Sequence, residues 1–343
     1  MKTPITLLLP VCLLAGCTPQ AGYVIEHSSP QYADGKYMYV LDGVTWQPLD
    51  SARIENSAFR IASHNKGSGM GLLYMGASSN PADLAQVGYL MFLEDGTIHT
   101  LPDSTYEFVY RGTPMNDAYT AFQQFRKTAT ADQQRNKLRK LVIQNHNVLG
   151  CYLLHDLLDL VSKTEVKQLM DSFPEALKQH PLFRQVQART DAIRADVGLP
   201  YLDLTAQDTT DADASLGETV RRPGNKYVLL EFWATWCGPC VQAVPHLKEL
   251  YARYHSKGFD IYGYSFTHGH EAWKTFVAHH GMAWTNVHPH FEGNPRTACP
   301  AWAAYGLNGI PSNFLIDTST GLIIAKNLRG EALDQKLAEL LNP

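Results

Sequence analysis

The sequence predicts an α/β domain with a mixed sheet at the C-terminal end, preceded by a small antiparallel β domain and a helical middle section. Three observations carry that expectation. From Lys226 onward, strand-like and helix-like segments alternate. Ahead of Gly112, short apolar runs are bounded by turn residues. Between 113 and 196, apolar residues recur at helical spacing. At 343 residues the chain is long enough for about two domains with full hydrophobic cores. Apolar content of 45% and charged content of 18% are ordinary for a globular chain. A net charge of -4, with no long basic run, argues against nucleic acid as a partner.

In chain order, Met1-Lys2 gives a short basic start and Ile5 to Leu14 a short apolar stretch, too short to span a bilayer as a permanent helix. Leu14-Ala15-Gly16-Cys17 resembles the lipobox of bacterial lipoproteins. The resemblance implies that residues 1–16 are a signal peptide and that Cys17 is the lipid attachment point. Several acyl chains would anchor the chain firmly, since one alone binds marginally. Thr18 stands where an inner-membrane retention signal would place Asp, so the outer membrane is favoured, with the chain facing the periplasm.

Residues 17–112 read as the β domain. Lys36–Leu41, Ser57–Ala62 and Gly71–Met75 are strand candidates. Tyr89 to Leu101 reads as a hairpin around Asp95-Gly96, and Pro102-Asp103-Ser104 turns into Tyr106–Tyr110. Residues 113–196 read as the helical section. Asn116-Asp117 caps its first helix, followed by Ala131–Asn145, Val148–Val161, a capping box at Ser162-x-x-Glu165, and Leu182–Asp196. Arg135, Lys137, Arg139 and Lys140 read as a solvated face.

Residues 197–343 read as the α/β domain. Gln207 to Ser215 is polar and reads as a loop. Strands are expected at Tyr227–Phe232, Phe259–Ser265, Ala283–Val287, Asn313–Ile316 and Leu322–Lys326. Helices are expected at Val241–His255, Glu271–His280, Arg296–Tyr305 and Leu333–Leu341.

The chemistry concentrates at Trp236-Cys237-Gly238-Pro239-Cys240, between the first of those strands and the first of those helices. A sulfur at a helix N-terminus meets unpaired N–H groups and the positive end of the dipole, which favour the thiolate. The second sulfur is one turn on, close enough for a disulfide. The bland alternative is half of a zinc site, but no second Cys-x-x-Cys supplies the missing ligands.

Leu230 to Cys240 resembles the active-site segment of thioredoxin-fold proteins. Pro245 resembles the proline inside their first active-site helix, and Gly309-Ile310-Pro311-Ser312-Asn313 their cis-proline segment. Phe259 to Ser265 resembles the second strand of the TlpA/ResA-type branch. The β domain, closing on Gly112-Thr113-Pro114-Met115-Asn116-Asp117, is similar to a small domain found ahead of thioredoxin domains in lipoproteins of Bacteroidetes-type bacteria, for which the family implies no agreed activity.

The resemblance implies a thiol–disulfide oxidoreductase with Cys237 as nucleophile and Cys240 as resolving thiol. Lowering a thiol pKa from about 8.5 to about 7 raises its thiolate roughly sixteenfold at neutral pH, and lost nucleophilicity takes back about fivefold. Glu231 matches a buried acidic position beneath the site and is expected to take the Cys240 proton. Pro311 is expected cis. Trp236, Gly238, Pro239, Ile310 and Pro311 are expected to form the substrate contact, with the Ile310 backbone pairing an extended segment. Trp233 and Trp236 are expected to shape and shield the site.

No cofactor is implied. The partners implied are disulfide-bonded protein substrates, an upstream membrane electron donor if the chain is a reductase, and the membrane through its lipid. A reductase is the leading reading, an oxidase or isomerase the second, and a binding lipoprotein that uses the fold as scaffold the third. A peroxiredoxin would want a lone cysteine in a Thr/Pro-rich motif. Two further signals carry less. His268, His270, His279, His280, His288 and His290 crowd one stretch, but no acidic partner is fixed by spacing and no metal ligand is assigned. Cys151 and Cys299 read as buried inert thiols.

Overall fold

A computed structural model describes residues 22–28, 34–78, 88–102 and 108–342. The expected signal segment, Cys17, the turn at Asp103-Ser104 and Tyr106 lie outside the described residues. The chain divides into two compact units, the first ending at Thr120 and the second starting at Ala121.

The first unit holds β1 (Tyr23–Ser28), β2 (Tyr37–Asp42), β3 (Pro48–Arg53), β4 (Ala58–Ser63), β5 (Met70–Gly76), β6 (Tyr89–Phe92), β7 (Gly96–Pro102) and β8 (Phe108–Arg111). They form two four-stranded sheets, ordered β4-β1-β7-β8 and β3-β2-β5-β6. Pairing is antiparallel throughout, except that β1 and β7 run parallel. Ile25, Ile61 and Ile98 from one sheet meet Met38, Leu73 and Met91 from the other in one core.

The expected hairpin at Asp95-Gly96 is not formed. β6 and β7 belong to different sheets. Gly96 is the first residue of β7, at φ 122°, and its N–H donates to Gly22 O at 3.1 Å. Splitting the two strands lets Met91 and Ile98 reach the same core from opposite sheets. The first helix, α1 (Pro114–Arg126), also starts earlier than the expected cap. Asn116 lies inside its first turn and clamps the Phe92 backbone, accepting from N at 3.0 Å and donating to O at 2.8 Å. The unit boundary falls within this helix.

The second unit opens with α2 (Ala131–Gln144), α3 (Val148–Leu157), α4 (Lys163–Asp171), α5 (Glu175–Lys178) and α6 (Pro181–Ala192). Thr130 and Gln133 form a reciprocal capping box at α2. At α4 only half of the expected box exists. Ser162 accepts from Glu165 N at 3.2 Å, but the Glu165 carboxylate turns to the Arg139 guanidinium, a stronger bidentate partner.

Then follow β9 (Thr205–Asp208), β10 (Asp213–Ser215), α7 (Leu216–Arg221), β11 (Tyr227–Trp233), α8 (Gly238–Tyr254), β12 (Phe259–Ser265), α9 (His270–His280), β13 (Thr285–His288), α10 (Pro295–Ala298), α11 (Pro300–Ala304), β14 (Ser312–Asp317), β15 (Leu322–Lys326) and α12 (Glu331–Leu341). One seven-stranded mixed sheet results, ordered β10-β9-β13-β12-β11-β14-β15. β11 sits inside it, parallel to β12 and antiparallel to β14, and apart from Glu231 it is apolar on both faces, as suits a doubly covered strand. The segment expected to be a loop at Gln207–Ser215 is instead the hairpin β9–β10, held by backbone pairing that its polar side chains did not advertise. The expected helix over Arg296–Tyr305 is broken in two at Cys299-Pro300, because Pro300 has no N–H to continue the first piece.

Helices α3 and α6 belong to the same compact unit as the sheet. Lys326, on β15, donates to Leu158 O at 2.8 Å and pairs with Asp196 at 2.8 Å, with both side chains almost fully buried. Asp196 also accepts from Lys163 N at 2.6 Å and from Val197 N at 2.8 Å. Removing one member of a buried pair leaves the other charge uncompensated. Asp196→Ala should therefore lower unfolding stability by about 3 kcal/mol, read from the urea midpoint. An unchanged midpoint would mean that Lys326 finds another anion.

Candidate active site at the start of helix α8

β11 delivers the chain to the top of the sheet, and Ala234 to Trp236 turn it into α8. Cys237 is the N-cap of that helix and Gly238 its first residue. Cys237 and Cys240 are joined in a disulfide, with Cα atoms 5.2 Å apart. Cys237 Sγ accepts from Cys240 N at 3.2 Å, so a free backbone donor of the helix end already points at the outer sulfur. Gly238 faces open space, and Pro239 is exposed beside it. Pro245 lies inside α8.

Three other segments close around the pair. The Ile310–Pro311 peptide bond is cis, and Ile310 O lies 3.5 Å from Cys237 Sγ. Trp236 is 53% exposed, yet its indole Nε1 donates to Phe266 O at 3.1 Å and its ring stacks on His268. Thr235 N donates to Thr267 Oγ1 at 3.0 Å, fixing the turn before the cysteines. Trp233 is buried against Phe276. It needs Gly263 on the neighbouring strand, where a Cβ would stand 3.1 Å from its Nε1 and 2.5 Å from Asn286 Oδ1.

Glu231 is 5% exposed, and its Oε2 has no hydrogen-bond partner. It is paired in register with Asn313 of β14, whose amide is held by Leu328 N at 2.9 Å and Leu328 O at 2.8 Å. A cavity of about 110 Å³ opens here, lined among others by Glu231, Pro239, His246, Pro311, Asn313 and Arg329. Its volume suffices for water, and although most of the lining is apolar, Glu231, His246, Asn313 and Arg329 place polar groups on it. Arg329 donates to Pro311 O. His246 is held at 2.6 Å by Asp334. The Glu231 carboxyl thus shares one cavity with the exposed Pro239 and the half-buried His246.

Burial pushes the Glu231 carboxyl up to about 8 from an ordinary 4.5, while the Asn313 hydrogen bond and the Arg329 charge pull it down. Burial likewise pushes the Cys151 thiol, in α3, up to about 12 and Cys299 up to about 11. Neither thiol is in a disulfide.

The structure therefore brings together Cys237, Cys240, Trp236, Gly238, Pro239, Ile310 and Pro311, and Glu231 lines the cavity that Pro239 and Pro311 also line. Sequence reasoning gave no role to Asn313, Arg329 or His246. Asn313 had a signal, since the register of two antiparallel strands places it opposite Glu231. The other two reach the site through tertiary packing. Among the described residues, no three or more His, Cys, Asp or Glu side chains are placed to hold a metal ion together.

Residues 224–323 match the family described as thioredoxin-like, and the sheet and helices of that segment have the thioredoxin fold. The thiol-disulfide oxidoreductase ResA of Bacillus thuringiensis subsp. konkukian is 31% identical over 116 residues, covering 34% of this chain and 62% of the relative. The chain thus spans less than two thirds of the length of the first curated relatives it matches. Among solved structures, the thioredoxin domain of a thiol-disulfide oxidoreductase from Bacteroides vulgatus is 29% identical, covering 43% of this chain and 98% of that one at a TM-score of 0.38. A thiol-disulfide oxidoreductase from Bacteroides fragilis is 33% identical, covering 41% and 99% at a TM-score of 0.36.

The Glu231 carboxyl makes a checkable demand on stability. Its folded pKa of about 8 lies above its ordinary 4.5, so in that window the folded chain holds a proton that the unfolded chain has lost. Stability must fall as pH rises through the window and level off above it, by a few kcal/mol in all. Glu231→Gln removes this dependence. Urea midpoints of the wild type should drop relative to the variant between about pH 5 and pH 8. Parallel curves would show the carboxyl ionised throughout.

Proposed function

We propose that the chain is a thiol–disulfide oxidoreductase acting as a disulfide reductase. The observation that carries this reading is the Cys237–Cys240 pair at the N-terminus of α8, with the Ile310 carbonyl against the outer sulfur. In the reduced state the Cys237 thiolate attacks one sulfur of a substrate disulfide. The substrate S–S bond breaks, one substrate thiolate leaves, and a mixed disulfide forms. Cys240 then loses its proton and attacks Cys237 Sγ. The mixed disulfide breaks, the second substrate thiol leaves, and the Cys237–Cys240 bond closes. Two electrons pass from the pair to the substrate.

Glu231 is the base for Cys240 in the second step, through water in the cavity. A group titrating near neutrality can take that proton and release it again. Trp236, Gly238, Pro239, Ile310 and Pro311 form the surface against which an extended substrate segment lies. Reopening the disulfide requires a dithiol donor, for which an upstream membrane protein is the natural source.

The lipobox-like Leu14-Ala15-Gly16-Cys17 supports a chain tethered by lipid at Cys17, in the outer membrane and facing the periplasm. In that oxidising compartment a reductase works against its surroundings. Its substrates would be envelope proteins carrying disulfides.

Two variants test the reading. Cys240→Ala should trap substrate as a mixed disulfide on Cys237, identified by mass after purification under non-reducing conditions. Glu231→Gln should slow resolution of a preformed mixed disulfide about a hundredfold, while alkylation of reduced Cys237 by iodoacetamide keeps its rate. An equal resolution rate in variant and wild type would remove Glu231 from the mechanism. Absence of insulin reduction by the wild-type dithiol would favour the scaffold reading.

A further inference from the structure

Next to the redox site, but outside it, two buried or half-buried imidazoles face each other. His270 opens α9 and His288 closes β13. Their Nδ1 atoms lie 3.4 Å apart, with ring centroids at 5.2 Å. The opposite nitrogen of each ring is committed. His270 Nε2 lies 2.8 Å from Asp211 Oδ1, and His288 Nε2 lies 2.7 Å from Thr267 O. A carboxylate and a carbonyl oxygen only accept, so both Nε2 atoms must carry hydrogen. In two neutral rings both Nδ1 atoms are then bare lone pairs aimed at one another. Hydrogen bonding between them is impossible in that state, and the close approach is satisfied either by a proton on one Nδ1 or by a cation held between the two rings.

We propose that His270 and His288 form a clip for a divalent zinc-class ion, each donating Nδ1, with His290 as the third protein ligand. The geometry matches the ion. Two nitrogens bound at about 2.0–2.1 Å to a tetrahedral centre lie roughly 3.3–3.4 Å apart. The outer partners match as well. Metal-bound histidines characteristically donate their other N–H to a carboxylate or a backbone carbonyl, which fixes tautomer and ring direction. Both kinds of partner are present here, one on each ring.

His290 lies two residues beyond His288 and is exposed, so its side chain can turn. Its ring centroid is 6.0 Å from His270 and 6.4 Å from His288, against 5.2 Å within the first pair. As it stands His290 is outside the pair and no three side chains converge among the described residues, so the third position requires the His290 side chain to rotate, with water completing the four. Asp211 is shared with Lys274 Nζ at 2.5 Å, which keeps the carboxylate in the outer shell rather than on the ion. Asp211 sits in the turn between β9 and β10, at φ 66°, so that hairpin supplies the outer partner.

The test uses tag-free protein with the Cys237–Cys240 disulfide closed, so that those sulfurs are not ligands. Titration with zinc chloride at pH 7.5, followed by calorimetry, should show one site of micromolar affinity. Cobalt(II) should give the visible bands of a tetrahedral nitrogen–oxygen site. His270→Gln with His288→Gln should abolish the site, and His290→Ala should weaken it tenfold or more. Asp211→Asn, a surface change that spares the packed rings, should weaken zinc binding about tenfold. The clip is overturned if wild-type protein takes up no zinc at millimolar concentration. It is equally overturned if one equivalent still binds with unchanged affinity to the Asp211 and His290 variants. None of these readouts depends on redox activity.

Discussion

The register of β11 between its two neighbours is the constraint on which the site rests. Glu231 stands opposite Gly263 on one side and Asn313 on the other, and Phe232 stands opposite Ser312. That alignment starts β14 one residue after Pro311, which leaves the cis peptide beside the disulfide. It also points the acidic side chain toward the α8 and α12 side, where the cavity lies. A slip of one residue would send Glu231 to the opposite face and replace it with an apolar neighbour. Because β11 is buried on both faces and hydrogen-bonded on both edges, such a slip would also cost two ladders. The chemistry inherits its precision from the sheet.

Around this frame the pair is enclosed more than displayed. Both cysteines are buried in the closed disulfide, while Trp236, Gly238 and Pro239 are exposed. A partner therefore meets the rim first and the sulfur second. The same turn is tied backward to the loop after β12, through Thr235 and Trp236. Thr267 serves in both directions, accepting from Thr235 with its hydroxyl and from His288 with its carbonyl. The histidine pair and the redox turn are thus two ends of one short hydrogen-bonded chain.

Much of the second unit was legible in the sequence, where local signals agreed with the fold. β12 and β15 fall on the expected residues because each is rich in apolar and aromatic residues and starts directly after a glycine, Gly258 or Gly321, that ends the preceding turn. The Cys-x-x-Cys turn was legible because its chemistry is local. What escaped was of two kinds. Some elements are held by backbone pairing with polar side chains, as in β9–β10, or lie at an exposed sheet edge, as β3 does. Others depend on partners far along the chain. Asp95-Gly96 had the right residues for a tight hairpin, but sharing a core between two sheets decided otherwise. Asp211 lies so far from His270 in sequence that no spacing rule joins them. Asn313 is the intermediate case, reachable once the register of β11 and β14 is written out.

The seven-stranded sheet ends on β15 at one side, and a bare outer strand there would offer its N–H and C=O groups to any passing chain. It is not bare. Gly198 N donates to Ile323 O at 2.9 Å, Ile323 N donates to Leu199 O at 2.9 Å, and Tyr201 N donates to Gly321 O at 3.1 Å. Asn327, just past the strand, is held by Asp159 O at 2.7 Å. The opposite border is β10, only three residues long. An extended polypeptide therefore finds no long vacant strand on either margin of this sheet. Recognition by strand addition along a border is closed off, which leaves the crest of the sheet, where the Ile310 carbonyl lies against Cys237 Sγ, as the place that the proposed function assigns to an incoming chain.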